Sequence, residues 1–455
     1  MKIKKIFNLL ISAIVISNVL TACSNTHISN KEESNEQAIM EEAQENIQGK
    51  DIKMLHNNNF GLACGSKEGY YSIYSNEDGM TNIMYVDYKT KKQIYLCDKS
   101  ECNHDNEKCT SFIDFKYAAM EKMLLCDDKY LYLITSEYNN TNGISTSISY
   151  GEFGATNEDQ PTTIYRMNLD GSNKKLLATL NTGESLSNSF FTDGNYIYGI
   201  AMKNSTVILD DNSSYADSDS CRLIGISNDN GEVKEISKWD SNWSILGTFN
   251  NKVIVKQLKF NKELTVEDKI DEEKYKELLS NADDVIVAFD IKTREFEHLI
   301  SNKSSNDYYY NMYGKDIFYY SYNGNKIMNF DLNTKEEYVF LESKYSNIQQ
   351  IYDGYIISSD WSDDNNGAYL INIDNKSIND FKLIKNNGFP VNIIAESKDL
   401  FFVESNCDIE SEYVEWAGIT QEVETNRQYS LISKEDFFNG NKNYENVKLL
   451  VEELN

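Results

Sequence analysis

The chain has 455 residues and a formal net charge of −28, because 72 acidic residues outnumber 44 lysines and arginines. This balance argues against nucleic acid as a partner, since no basic stripe is present to neutralise phosphates. It also argues against electrostatic binding to anionic lipid. Two explanations of the acidic composition stay open: solubility of a surface protein, or attraction of cations and cationic ligands.

The N-terminal segment has the features of a secretory signal. Lys2, Lys4 and Lys5 precede an apolar run over residues 6–20, interrupted by four polar residues. The run is about as long as a signal-peptide core and is short for a membrane-spanning helix. These features predict that residues 1–22 are a signal peptide.

The sequence Leu20-Thr-Ala-Cys23 resembles a bacterial lipobox, in which cleavage occurs just before a cysteine that receives a diacylglycerol. An ordinary signal peptide followed by a chance cysteine is the alternative. The lipobox predicts that Cys23 is lipidated and holds the protein to the outer face of the membrane without spanning it.

Residues 23–57 combine the lipidated cysteine with a tether. The segment is rich in Asn, Glu, Gln and Ser, and low hydrophobicity with high charge favours a mobile spacer. Residues 58–455 are then the folded part, a length that one closed propeller can reach.

An internal repeat recurs seven times within this folded part. Its clearest copies lie at residues 164–172, 287–293 and 327–334, each with an alternating apolar strand that ends in Asp or Asn before a tight turn. The acidic or amide residue is best explained by bonding to the turn backbone. A strand-rich unit repeated at this period predicts an all-β fold, a β-propeller with seven blades, and six or eight blades are the alternatives. We place the units at residues 58–100, 120–180, 187–238, 244–301, 307–343, 346–386 and 391–455.

Four insertions interrupt the units. They lie at residues 139–160, 204–220, 261–284 and 408–427. The first two have no apolar period and are interpreted as loops. Since long loops on a rigid scaffold commonly bind ligands, the first, third and fourth insertions are the candidate contact segments.

The third insertion carries a helix signal. Thr265 and Asp268 have the spacing of a capping box, and apolar residues after them fall roughly on one face. The pattern predicts one short helix near residues 265–282.

The sharpest chemical motif is Cys97-x4-Cys102-x-His104-x4-Cys109, which follows the last strand of the first unit. Three thiols and one imidazole match the Cys3His ligand set of a closed, structural zinc site. A disulfide within this loop and reduced structural thiols are the alternatives. Cysteine arithmetic does not choose between them, because lipidation of Cys23 leaves seven cysteines, an odd number.

Other chemistry has little support in the sequence. We do not expect a calcium site, because the acidic segments at residues 217–219 and 360–367 lack the full spacing of a calcium loop. Neither a G-x-S-x-G elbow nor a glycine-rich phosphate loop occurs. Carboxylates that face the central channel leave one enzymatic alternative, a glycan hydrolase or lyase.

Residues 164–172, of the form I-x-R-x-x-L-D-G-S, resemble the strand of propellers related to the low-density-lipoprotein-receptor type. The wider chain is similar to a group of Gram-positive lipoproteins with a domain of unknown function of that type, and the cysteine motif is typical of that group. The resemblance covers most of residues 58–455. The Y-W-T-D tetrapeptide is absent, and seven units replace the six blades of the receptor type. The resemblance implies a binding or sensing module and gives no ligand.

These observations together predict a lipid-anchored protein on the extracytoplasmic face of the cell membrane. Its expected role is binding or sensing, with a cell-surface protein, a peptide or a glycan as the partner. A purely structural role within a surface complex is a further alternative.

Overall fold

The computed structural model describes most of the chain from Asp51 onward. The described residues are 51–55, 61–76, 79–114, 121–136, 161–210, 213–240, 243–304, 309–321, 325–342, 347–359, 367–414 and 419–451. Among them, no helix has the length and apolar character needed to cross a membrane. The predicted signal peptide, Cys23 and most of the predicted tether lie outside the described residues.

Seven antiparallel sheets form the blades of a β-propeller, so the predicted fold class and seven-blade count are confirmed. Blade 1 contains β2 (Ala63–Gly65), β3 (Gly69–Ser75), β4 (Thr81–Asp87), β5 (Lys92–Tyr95) and the short β6 (Phe112–Ile113). Blade 2 contains β7 (Glu121–Cys126), β8 (Tyr130–Ser136), β9 (Thr163–Asn168) and β10 (Lys175–Thr179). Blade 3 contains β11 (Glu184–Thr192), β12 (Tyr196–Asp210), β13 (Ser213–Ser227) and β14 (Val233–Trp239).

The remaining four blades follow in chain order. Blade 4 contains β15 (Trp243–Phe249), β16 (Lys252–Lys259), β17 (Asp283–Asp290) and β18 (Phe296–Lys303). Blade 5 contains β19 (Tyr310–Tyr313), β20 (Asp316–Ser321), β21 (Lys326–Asp331) and β22 (Glu336–Glu342). Blade 6 contains β23 (Asn347–Tyr352), β24 (Tyr355–Ser359), β25 (Ala368–Asn372) and β26 (Ile378–Asp380). Blade 7 contains β27 (Asn392–Glu396), β28 (Leu400–Val414), β29 (Ile419–Ser433) and β30 (Glu445–Asn446).

Aromatic and β-branched side chains fill the spaces between blades. Trp239 of blade 3 packs against Trp243 and Phe289 of blade 4, with ring centroids 5.3 and 5.4 Å apart. Both faces of a blade are therefore buried against its two neighbours, which explains why the strands of the repeat are so rich in apolar residues.

The residue that ends each third strand shapes the following turn. The Asp290 carboxylate accepts the N–H groups of Lys292 and Thr293 at 2.9 and 3.1 Å, and Asp331 accepts that of Asn333 at 2.8 Å. These carboxylates accept hydrogen bonds from N–H groups of the turn in place of backbone carbonyls. The acidic position of the repeat is structural, as the sequence pattern indicated.

The C-terminal segment closes the ring without a strand exchange between blades 7 and 1. The N–H of Gln93, on the outer strand of blade 1, donates to the Lys448 carbonyl at 2.9 Å. The Gln93 side-chain oxygen accepts the N–H groups of Leu450 and Val451. The end of the described chain therefore clasps the outer rim of the first blade.

An additional strand, β1 (Lys53–Leu55), lies inside the ring. It pairs with β11, the innermost strand of blade 3. Just before it, the N–H of Ile52 donates to Asn251 and the Ile52 carbonyl accepts from Thr248, both at 3.2 Å. The predicted tether at residues 23–57 thus overlaps the fold by this strand, which occupies part of the central channel.

Strand alternation sorts the connections within the blades onto two faces. The turn face carries the connections between the first and second strands and between the third and fourth strands of each blade. Apart from the last of them, none of these connections is longer than residues 169–174. The last connection on this face, residues 434–444, contains α3 (Lys434–Asn439). The insertion face carries the connections between second and third strands, and the predicted insertions at residues 204–220, 261–284 and 408–427 fall there. The predicted insertion at residues 139–160 lies outside the described residues.

Two expectations for the insertions need correction. Residues 204–220 form a ribbon of the extended β12 and β13, where a loop was expected, because the strands of blade 3 continue pairing beyond the blade. The predicted single helix is two helices, α1 (Val266–Ile270) and α2 (Glu272–Ser280). The break lies at Asp271, whose extended backbone ends α1 while its side chain caps α2.

Candidate metal centre

The cysteine motif lies within the outer strand of blade 1. Both β5 and β6 pair with β4, so the chain leaves the sheet after Tyr95 and returns at Phe112. The sequence placed the motif after the last strand of this unit, and the structure shows that the same edge resumes beyond it. A loop that is rooted at both ends in one strand is well suited to hold a small ligand set in place.

The four predicted ligands come together in this loop. The ligand atoms of Cys97, Cys102, His104 and Cys109 all lie within 4.8 Å of one another. In a tetrahedral site with Zn–S bonds of about 2.3 Å, sulfur atoms are about 3.8 Å apart. The set therefore fits a Cys3His zinc centre with only small adjustments.

The histidine is fixed in orientation on two sides. Its Nδ1 lies 3.2 Å from Cys109 Sγ, and its ring stacks on Tyr95 at a centroid distance of 4.1 Å. His104 and Glu101 have φ values of 59° and 65°, in the left-handed region that non-glycine residues seldom occupy. Such strain persists only where the surroundings impose it, and it clusters at ligand-binding sites.

Backbone donors prepare one thiol for coordination. Burial raises the pKa of Cys97, but N–H groups of Lys99 and Thr110 and the neighbouring thiols outweigh it and lower that pKa. Burial raises the pKa of Cys109, against a hydrogen bond with Ser111 that lowers it. The loop thus favours the thiolate at one position, as a metal ligand requires.

The imidazole is held in its neutral form. Desolvation lowers the pKa of His104, and the nearby Asp105 carboxylate opposes this only in part. A neutral ring offers a lone pair, which metal coordination needs.

Blade 2 supports the loop from the side. Gly171, with φ +81°, fits so closely that an added Cβ would lie 2.9 Å from the Leu96 carbonyl and 3.2 Å from Thr110 Oγ1. Lys174 Nζ donates to the Phe112 carbonyl at 2.6 Å, and burial lowers the pKa of Lys174 to about 8. The L-D-G-S turn therefore packs against residues that directly flank the cysteine motif.

None of the seven described cysteines forms a disulfide. Cys126 Sγ donates to the Gly65 carbonyl at 3.0 Å between the inner strands of blades 2 and 1, and burial is the main cause that raises the pKa of Cys64. The disulfide alternative for the loop has no support in this geometry.

A second cluster was missed by sequence reasoning. At the root of the β28–β29 ribbon, Glu404, Cys407 and Glu424 also lie close enough to hold a metal. However, Lys385 Nζ sits 2.6 Å from Glu404 and 3.1 Å from Glu424, and Arg427 lies 3.5 Å from Glu424. Two cations already balance two carboxylates, so this is a buried ion-pair cluster.

The central channel does not bring together the described carboxylates of its inner strands. Glu184, at the insertion-face end of β11, bonds Arg222 at 2.6 Å. Glu396, at the turn-face end of β27, bonds Lys434 at 2.5 Å. The side chain of Glu121, the remaining inner-strand carboxylate, lies outside the described ones, as do those of residues 217–219 and 360–366.

Comparison with known proteins gives a likeness of fold alone. No family model and no curated protein matches the chain. An oligogalacturonate lyase in complex with manganese is 12% identical, with a TM-score of 0.41 over 77% of this chain and 87% of that one. TolB from Acinetobacter baumannii is 10% identical, with a TM-score of 0.35 over 82% of this chain and 77% of that one.

Peptidases are also among the similar structures. Pyrococcus horikoshii acylaminoacyl peptidase is 12% identical, with a TM-score of 0.45 over 87% of this chain and 52% of that one. The chain thus spans about half the length of this peptidase. At such low identity the likeness carries no information about activity or substrate.

Proposed function

We propose that this protein is a lipid-anchored extracytoplasmic binding module that presents its insertion face away from the membrane. The main supporting observation is that the N-terminal strand β1 enters the ring from one face, whereas the described insertions extend from the opposite face. Ile52 contacts the blade 4 turn at Asn251, on the turn face, and β1 runs from there into the channel. The ribbons and the helices α1 and α2 extend from the other face.

The tether length is compatible with this arrangement. Cys23 and Asp51 are separated by 27 residues, which span at most about 90 Å when fully extended. As a flexible coil they would span about 30 Å. An anchor at Cys23 therefore keeps the turn face nearer to the membrane and leaves the insertion face open to partners.

Two of the candidate contact segments lie on the described insertion face, at residues 261–284 and 408–427. The third, residues 139–160, falls in the connection between β8 and β9 and lies outside the described residues. Because the two described segments emerge on the same side, one partner can contact both of them.

The enzymatic alternative is less well supported. A glycoside hydrolase needs two carboxylates on either side of one bond. Glu184 and Glu396 lie at opposite ends of the channel, each in an ion pair, and β1 fills space beside blade 3.

The orientation can be tested with the mature lipoprotein in vesicles. A photoreactive phenylalanine analogue replaces Asp374 on the turn face or Tyr413 on the ribbon, both exposed positions. We expect lipid cross-links to form several-fold more often from position 374. Equal cross-linking would contradict the orientation, and a Cys23→Ser protein that stays in the membrane fraction would contradict the anchor.

The cysteine loop takes a structural zinc ion in this proposal. Four protein ligands leave no open position, so the metal would fix the outer edge of blade 1 against blade 2. Elemental analysis of protein purified without chelator should give one zinc per chain. Cys102→Ser should lose it, whereas Cys221→Ser, on β13, should retain it. Retention of zinc by Cys102→Ser would exclude this ligand set.

A further inference from the structure

The negative charge of the chain is concentrated on the insertion face. The fourteen connections of the turn face contain 13 acidic and 13 basic residues, whereas the seven second-to-third-strand connections contain 18 acidic and 4 basic residues. Acidic residues that served solubility alone would be spread over both faces. The asymmetry indicates that the insertion face, and not the whole surface, is adapted to cations.

The blade 7 ribbon shows how these charges are arranged. Asp408, Glu410 and Glu412 are exposed at alternate positions of β28 and therefore share one side of the ribbon. Alternate residues of a strand are about 6.8 Å apart. The ribbon thus presents a row of carboxylates with the repeat of an extended polypeptide.

This row does not have the geometry of a metal site. Among the described residues, groups of three or more possible metal ligands occur at the cysteine motif and at Glu404, Cys407 and Glu424, and the exposed row belongs to neither. Carboxylates spread along a strand produce an extended region of negative electrostatic potential, and they do not converge on one metal-coordination site.

We propose that the blade 7 ribbon binds a lysine- or arginine-rich segment of a partner protein in extended conformation. This inference rests on the proposed function, because it names the partner of the outward-facing surface. Basic side chains at alternate positions of such a segment would match the carboxylate row.

The backbone of the ribbon favours a polypeptide over a cationic glycan. In the described chain, residues 408–414 of β28 pair only with β29, so their other edge has N–H and C=O groups available for an added strand. An extended peptide can use both this edge and the carboxylate row. A second copy of this chain would bring like charges together, which disfavours self-pairing.

The test uses the mature lipoprotein in an uncharged detergent with a fluorescent ten-residue lysine peptide as the probe. The ribbon variant carries Asp408→Asn, Glu410→Gln and Glu412→Gln. The matched control carries Asp229→Asn, Asp374→Asn and Glu435→Gln, which remove the same charge from exposed turn-face positions. Thermal melts of both variants verify that the fold is retained.

We expect the ribbon variant to weaken peptide binding about tenfold in 50 mM salt, and the control to change it less than twofold. Binding should also weaken as salt is raised to 200 mM. Equal losses in both variants, or equal binding of a neutral peptide, would overturn the proposal. Tighter binding of a chitosan oligomer than of the lysine peptide would assign the site to glycans instead. If neither binds while lipid cross-linking remains biased to the turn face, the partner class is wrong and the proposed function stands.

Discussion

The turn face and the insertion face are built by opposite means. Apart from residues 434–444 of blade 7, the turn face repeats one solution, a short connection held by side-chain bonds to the backbone or by a left-handed residue such as Gly231 or Gly314. The insertion face adds a different segment to each of several blades, and its second-to-third-strand connections are strongly acidic. The difference shows that the fold constrains one face closely and leaves the other free to vary.

The largest effect is expected where the turn face touches a neighbouring blade. Gly231 has φ +74°, and an added Cβ would lie 1.7 Å from the Leu177 carbonyl oxygen of blade 2. Gly231→Ala should therefore destabilise the protein by about 3–5 kcal/mol, from backbone strain and collision together. Unfolding in urea would measure it.

A second glycine separates the effect of backbone strain from that of the steric collision. Gly314 also has a positive φ, +58°, but an added Cβ would meet nothing within 4 Å. Gly314→Ala should cost only about 1–2 kcal/mol, the strain alone. Similar losses for both variants would show that blade 2 yields to the new methyl group.

An intermediate effect is expected at the root of the insertion-face ribbon. The Lys385 side chain is 1% exposed and bonds Glu404 and Glu424. Lys385→Met should cost about 3 kcal/mol at pH 7, because it leaves buried carboxylates with less compensation. Lys442→Met on the exposed part of the turn face should cost less than about 0.5 kcal/mol. Equal effects would mean that the cluster contributes nothing specific.

The pH dependence of this loss follows from the pKa shifts. Burial alone would lower the pKa of Lys385, but Glu404 raises it, so its contribution is present below about pH 10.4 and is lost as pH rises through the higher folded value. Burial alone would raise the pKa of Glu424, but Lys385 lowers it, so that contribution is present above about pH 4.3 and is lost as pH falls through the lower folded value. The difference between wild type and Lys385→Met should be largest between these limits. A constant difference down to pH 3 would contradict the ion-pair assignment.

The smallest effects compare a structural carboxylate with one on the ribbon. Asp290→Ala removes the acceptor of two turn N–H groups and should cost about 1 kcal/mol. Glu410→Ala, at an exposed ribbon position, should change the free energy of unfolding by less than about 0.5 kcal/mol. Equal urea midpoints for the two variants would remove the distinction between the faces at the level of single side chains.

The repeat made the propeller and its blade count predictable, because each unit carries its own strand pattern and turn residue. The grouping of Cys97, Cys102, His104 and Cys109 as a possible metal-binding set was also predictable, since these residues are local in sequence. By contrast, Lys385 lies 19 residues from Glu404 and 39 from Glu424, and no periodic pattern connects them. Their proximity exists only once blades 6 and 7 are packed.

Short segments whose secondary structure depends on tertiary contacts or on a single residue were also not predicted correctly. Residues 53–55 carry too little apolar pattern to indicate a strand, and they become one by pairing with β11 inside the ring. The helical pattern near residues 265–282 was continuous, but Asp271 ends one helix and begins another. In both cases the hydrogen bonding of a few residues decided the secondary structure that the segment adopts.

The clasp between residues 448–451 and Gln93 has a consequence for biogenesis. Blade 1 is the first blade to be synthesised, yet its outer edge is completed by residues 448–451. The ring therefore stays open, with the apolar sides of blades 1 and 7 exposed, until those residues are available. A chain cut short before Lys448 would remain an open ring that proteases can recognise.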